Sequence, residues 1–157
     1  MTEVYIRQYQ PLDCEDLANI YYNTIHTINI KDYNETQVNA WAPIATKQAE
    51  GWAKKWEKLL PWVALLDNKR VGFVEFEESG HIDCFYCHHD YQGKGIGKAL
   101  MDQVKKIAKE NNIQRIWAEV SITAKPFFEH QGFKVVKQQT VNVRGVDLIN
   151  YVMEFIT

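Results

Sequence analysis

Between Cys87 and Leu100 the chain reads CHHDYQGKGIGKAL. Three of its only 8 glycines, Gly93, Gly95 and Gly97, stand there at every second position, with Lys94 and Lys98 among them. Residues without a Cβ let a charged oxygen approach the main chain, and lysines add positive charge at its edge. With a strand ending at His88 and a helix starting near Ile96, the turn also presents unpaired N–H groups and the positive end of a helix dipole. That is the chemistry of phosphate binding. Two familiar phosphate motifs are excluded. The nucleotide P-loop needs Ser or Thr after its lysine, and Lys98 is followed by Ala99. The dinucleotide fingerprint Gly-x-Gly-x-x-Gly fails because the spacing here is two throughout.

A second set of residues, just upstream, suits proton transfer. Alternate residues of a strand share a face, so His81 and Asp83 point the same way, four and two positions before Phe85. A neutral imidazole accepts a proton near pH 7, and a carboxylate such as Asp83 suits a cationic substrate; both also read as polar residues at a solvated strand end. Glu75, on the preceding strand, is a weaker candidate because exposed hairpin glutamates are common. Cys84-Phe85-Tyr86-Cys87-His88 matches the spacing of covalent haem attachment, and His89 invites a zinc reading. Side chains three apart on a strand face opposite ways, so Cys84 and Cys87 cannot grip one haem or one metal; buried structural cysteines and no metal are expected.

The elements that must position these groups follow from periodicity and turn chemistry. A first strand is expected from about Glu3 to Gln8, then a helix capped by Asp13 with Leu17, Ile20, Tyr21, Thr24, Ile25 and Ile28 on its apolar face. KDYNETQVNAWAP suggests a short helix stopped by Pro43, and Ala49, Trp52, Ala53, Trp56 and Leu59 a longer one. Trp62 to Leu66, the Asp67-Asn68 turn and Val71 to Glu77 form an antiparallel hairpin, followed by a turn at Ser79-Gly80 and a strand from His81 to His88. Ile96, Leu100, Val104, Ile107 and Ala108 line a helix after the glycines. Arg115 to Val120 is then a strand parallel to the one before it, reached by a right-handed crossover. Thr123 to Gln131 makes a short helix ended by Gly132, and two strands, about Phe133 to Val141 and Asp147 to Phe155, follow around Arg144-Gly145.

Composition narrows the class. With 157 residues, 46% of them hydrophobic, the chain is expected to form one domain, residues 1–157, with a substantial core. The formal charge of -2 offers no basic field for nucleic acid or an anionic membrane. An N-terminus without the pattern of a signal peptide, and the lack of 18 consecutive apolar residues, lead to the expectation of a soluble, cytoplasmic protein. Three cysteines fit reduced thiols better than a disulfide framework.

Gln92-Gly93-Lys94-Gly95-Ile96-Gly97 fits Gln/Arg-x-x-Gly-x-Gly/Ala and resembles the acetyl-CoA signature of the GNAT N-acetyltransferase superfamily. The likeness runs from about Trp62 to Phe155, and DYNETQVNAWAP is similar to a bacterial subgroup of the family. It implies a mixed, mostly antiparallel α/β (α+β) sheet with helices on both faces, and acetyl-CoA as co-substrate. The reaction it implies is direct acetyl transfer to the primary amine of a small molecule or peptide. The resemblance places the pantetheine arm along Phe85, Tyr86 and Cys87, the diphosphate at Gln92 to Lys98, and Ser121, Ala124, Phe127 and Phe128 along the same substrate. SITAKPFFEHQGF is similar to the family's Asn-x-x-Ala-x-x-x-Tyr-x-x-x-Gly-Phe but departs from it twice: Ser121 replaces the asparagine, and Phe128 stands where a tyrosine usually protonates the departing thiolate. Tyr151 or a water is expected to supply that proton, or the thiolate leaves unaided. Family specificity resides in the first two helices, which makes Tyr22, His26 and Trp41 acceptor-site candidates, with core packing expected for Trp52 and Trp56. A homodimer through the C-terminal strands is compatible with the resemblance. The alternative to an enzyme is a domain that binds acyl-CoA as a sensor or scaffold.

Overall fold

Asp67 and Asn68 both take positive φ, 51° and 63°, the backbone that a two-residue hairpin turn demands. They fold β2 (Trp62–Leu66) back onto β3 (Lys69–Phe76). The computed structural model describes residues 3–157 and extends this hairpin into seven strands. On its outer side lies β1 (Tyr5–Gln8); on its inner side follow β4 (His81–Cys87), β5 (Arg115–Ser121), β7 (Val146–Ile156) and β6 (Lys134–Val143), in that order. Among the strands of the described residues, only β4 and β5 run parallel. That follows from the crossover helix between them, α4 (Ile96–Glu110), as its apolar spacing predicted.

Helices cover both faces. Leu17, Ile20 and Ile25 of α1 (Cys14–Thr27) and Trp56 of α3 (Ala49–Lys58) pack with Val63 and Phe73 on one side, where α2 (Glu35–Trp41) also docks. Asn34 caps α2 by accepting from the Gln37 amide at 2.8 Å while Gln37 reaches back to the Asn34 amide. On the other face Ile96, Leu100, Met101 and Val104 of α4 and Phe128 of α5 (Lys125–His130) pack with Val74, Ile116 and Met153. Trp56 is fully buried and stacked on Trp52 at 4.9 Å, the core role its period implied. No helix among the described residues is long and apolar enough to cross a membrane.

The first strand begins at Tyr5 rather than Glu3. Asp13 does not cap α1 with its side chain. It lies in a short 3₁₀ turn, fully buried, accepting hydrogen bonds from Arg7 at 2.7 and 2.9 Å, Arg70 at 2.6 Å and the Gln10 amide at 2.8 Å. A helix end tolerates many caps, whereas two converging guanidiniums are satisfied only by a carboxylate. Burial by itself would raise the Asp13 carboxyl, but the hydrogen bonds from Arg7 and Arg70 outweigh it and bring the pKa down to about 2.

The carboxyl is depressed from 3.8 to about 2, so its stabilising contribution, on the order of 2 kcal/mol, is complete above about pH 4 and is lost as pH falls toward 2. Asp13→Asn is expected to lower stability by about 3 kcal/mol at pH 7 and to flatten the acid limb of the stability curve in urea melts between pH 5 and 2.

Candidate functional site

β4 and β5 pair at two positions only, His81 with Trp117 and Ile82 with Ala118. Gly80 permits that close start, since a Cβ there would lie 2.0 Å from the Arg115 carbonyl oxygen. Beyond Ile82 the strands part. Val74 opposes Phe85, yet Phe76 opposes Ile82, so β4 carries one extra residue at Asp83-Cys84, a bulge that turns the strand away from its neighbour. A cavity of about 430 Å³ opens in the gap, reaching from the glycine turn to Trp41, Asp83 and Glu119.

The bulge also revises which residues share a face. Phe85 and Cys87 side with Ile82 against α4, while Cys84 and Tyr86 pack on the α1 and α3 side. Cys84 and Cys87 thus face opposite ways, as strand geometry required. Strict alternation would have put His81 and Asp83 on the face of Phe85; with one residue inserted they lie across the sheet from it.

At the glycine end, Gly93 and Gly95 adopt φ of 74° and 80°, and nothing lies within 4 Å of where their Cβ atoms would be. The first turn of α4 leaves the amides of Ile96, Gly97 and Lys98 without helical acceptors. Gly97 is needed for contact, since a Cβ would sit 3.0 Å from the Phe127 ring. Gln92 braces the turn, its amide donating to the carbonyls of Cys87 at 2.9 Å and His88 at 3.3 Å. The Lys98 ammonium is paired with Asp102 at 2.8 Å. Lys94 is exposed and does not line the cavity. An open, amide-rich cradle of this kind fits a diphosphate.

Between the two ends the cavity is lined by Phe85, Tyr86, Cys87, Ser121, Ala124, Phe127 and Phe128. The Ser121 hydroxyl accepts from the Ala124 amide at 3.0 Å and so fixes the turn into α5. Phe128 is 3% exposed and packs on Phe85 and Phe133. Burial pushes the Cys87 thiol up to about 12. Thr123, unremarked in the sequence, also lines this stretch and holds a buried hydroxyl without a partner.

The far end is built from carboxylates. The two-residue pairing sets Asp83 level with Glu119 where the strands part, and both line the cavity. Asp83 is tied to Lys55 of α3 at 2.8 Å, and Lys55 also reaches Glu75 at 3.0 Å. Glu75 is not an exposed hairpin glutamate. It is fully buried, off the cavity, and held by that ammonium. Burial pulls the Lys55 pKa down, but neighbouring Cys84, Asp83 and Glu75 carry it above its ordinary value, so it stays charged.

His81 does not line the cavity. It stacks on Trp117, bonded through Nδ1 to Glu77 and through Nε2 to Glu119 at 2.7 Å. Burial opposes its protonation, but the bonds to Glu119 and Glu77 win and raise its pKa, which disfavours a neutral imidazole. Tyr22 and His26 stack on each other off the cavity, with His26 Nε2 2.7 Å from the Ala42 carbonyl. Tyr151 lies beside Lys125 and is likewise not part of the lining. Trp41 lines the cavity. Glu119 was not singled out in the sequence; the parallel strand expected beside the glycine motif, with one acidic residue amid RIWAEV, was the signal available. Lys55→Met, which strands the buried Glu75 carboxylate, is expected to cost about 3 kcal/mol in chemical denaturation, with Glu75→Gln in the same background recovering part of the loss.

Comparison with known proteins gives a consistent picture. The sequence model of a family described as "Acetyltransferase (GNAT) domain" matches residues 29–155. An Escherichia coli K12 protein called uncharacterized N-acetyltransferase YafP is 34% identical over 155 residues, covering 99% of this chain and 97% of its own. The crystal structure of a GCN5-related N-acetyltransferase from Rhodopseudomonas palustris superposes with a TM-score of 0.92 at 30% identity, covering 100% of this chain and 98% of that one. PaiA N-acetyltransferase from Thermoplasma acidophilum, solved with coenzyme A, shares the fold with a TM-score of 0.74 at 21% identity, over 99% of each chain.

Proposed function

The chain belongs to the GNAT acetyltransferase family and is an acetyltransferase, and from that premise we propose that it transfers acetyl from acetyl-CoA to a primary amine by direct attack. The observation that carries this reading is one continuous cavity with an amide-rich glycine turn at one end and two carboxylates at the other. The coenzyme A held by the fold relative PaiA supports the donor assignment.

In this reading the amides of Ile96, Gly97 and Lys98, with the open backbone at Gly93 and Gly95, bind the donor diphosphate. Phe85, Tyr86, Cys87 and Phe127 line the path of its arm toward the thioester, whose activated carbonyl supplies the chemistry. Glu119 takes the proton from the acceptor ammonium: it lines the cavity where the strands part with an imidazole as its partner, whereas Asp83 pairs with the Lys55 ammonium. His81 orients Glu119 through the 2.7 Å contact at its Nε2, a contact that favours the protonated imidazole. The Cys87 thiol, kept protonated at neutral pH, offers no thiolate for an acyl-enzyme, which favours attack by the amine itself. Phe128 has no proton to give. The unpartnered Thr123 hydroxyl is a donor in the lining that can hydrogen-bond the departing sulfur, a weakly basic leaving group.

Calorimetric titration with acetyl-CoA tests the donor site. Micromolar binding is expected for the native chain and none for Gly95→Glu, which puts bulk and negative charge into the cradle; equal binding by both would refute the assignment. Glu119→Gln is expected to retain acetyl-CoA binding while its kcat with an accepted amine falls about 100-fold. An undiminished rate would remove Glu119 from the role of base.

A further inference from the structure

A second, smaller cavity of about 150 Å³ continues the first beyond its carboxylate end, sharing Trp41, Asp83, Tyr86, Glu119 and Ser121 with it. Its depth is walled by Tyr33 and by Val141, Val143 and Leu148 of the β6–β7 hairpin. Space of this size accommodates about one benzene-sized body.

Most of the hydrogen-bonding capacity of that wall is already taken up, and the donors left open are the Ser121 hydroxyl and the Asn150 side-chain amide. Tyr33 Oη donates to the Ile149 carbonyl at 2.6 Å and accepts from the Ile122 amide at 2.9 Å. Asn150 accepts from Gln139 at 2.9 Å, and Ser121 from Ala124 at 3.0 Å. A hydroxyl-rich substrate therefore finds few open partners inside, and would leave polar groups buried unpaired. An apolar body meets aromatic and aliphatic carbon: the Tyr33 ring stands edge-on to Trp41 at 5.4 Å. The mouth is different. Asp83 and Glu119 both line it, braced from behind by the Lys55 ammonium and the His81 imidazole respectively, and two carboxylates side by side attract a positive group.

Resting on the acetyl-transfer reading above, we infer that the acceptor is a compact primary amine with an apolar body, of the size of one aromatic ring or a short branched alkyl chain. Its ammonium sits at Asp83 and Glu119 and its apolar part fills the Tyr33–Trp41–Val141–Leu148 pocket. Polyamines lack the apolar body, aminoglycosides are too large and too polar, and a peptide amine carries a polar backbone past the mouth.

The test loads the protein with CoA, which cannot react, and titrates it calorimetrically with phenethylamine, isopentylamine, spermidine, kanamycin and a tetrapeptide with a free N-terminus. The apolar amines should bind at least tenfold more tightly than the other three. Val141→Lys, at a half-buried position, should weaken phenethylamine binding at least tenfold while CoA binding and the thermal melt stay as in the native chain; Val143→Lys should repeat the effect. Preference for spermidine, kanamycin or the tetrapeptide overturns the inference, as does indifference of phenethylamine to both lysines, or CoA binding with no amine bound; each leaves the donor site intact. Failure of CoA itself to bind strikes the acetyltransferase reading and removes the ground of this one.

Discussion

Two strands that pair for two residues and then separate set the conditions for everything around them. A parallel pair normally continues, because each unmade ladder bond leaves a donor or acceptor that must find another partner. Here Gly80 pins the start of β4 against β5 and the bulge at Asp83-Cys84 ends the pairing. Part of the exposed backbone is then satisfied from outside the ladder: the Cys87 carbonyl accepts from Thr24 at 3.0 Å and from Gln92 at 2.9 Å. The gap is thus a stable feature of the sheet, braced by α1 on one side and by the glycine turn on the other.

Charge is distributed about this gap in held groups. Lys55 spans a buried and an exposed carboxylate, and His81 spans two partly exposed ones. Removing an ion from water is costly unless its partner is close and well placed, so the Lys55 ammonium and the His81 imidazole each fix the position of the acids beside them. The result separates carboxylates of the same chemical type into different duties: Glu75 neutralises Lys55 inside, Asp83 shares that ammonium at the cavity wall, and Glu119 faces the cavity with only an imidazole behind it.

The glycine-turn end of this arrangement was legible in the amino-acid order. Glycine spacing, the helix that follows, and the aromatic Phe127-Phe128 pair act locally, through backbone freedom and periodicity, and those signals survive translation into three dimensions. The carboxylate end was not. A bulge of one residue in β4 has no compositional mark, and it separates His81 and Asp83 from the face that simple alternation assigned them. Burial of Glu75 depends on Lys55, 20 positions away on another element, and the role of Glu119 depends on a strand register set by a glycine. Tyr22 and His26 sit on the right helix, yet stack on each other outside the cavity, because helical period fixes a direction and not a depth.

The hairpin that walls the smaller cavity comes after every other element in chain order, yet β7 is not an edge: it lies between β5 and β6. Tyr33 meets Ile149 across a separation of 116 residues, and Arg144 at the hairpin turn donates to the Ala40 carbonyl at 2.7 Å. During synthesis, therefore, the glycine turn and its helix can assemble on β2 to β4 well before the hairpin wall exists, and long-range pairings of this kind close slowly. The two halves of the cavity are separable in time as they are in sequence, and the hairpin can diverge among relatives, reshaping the carboxylate end without disturbing the glycine turn.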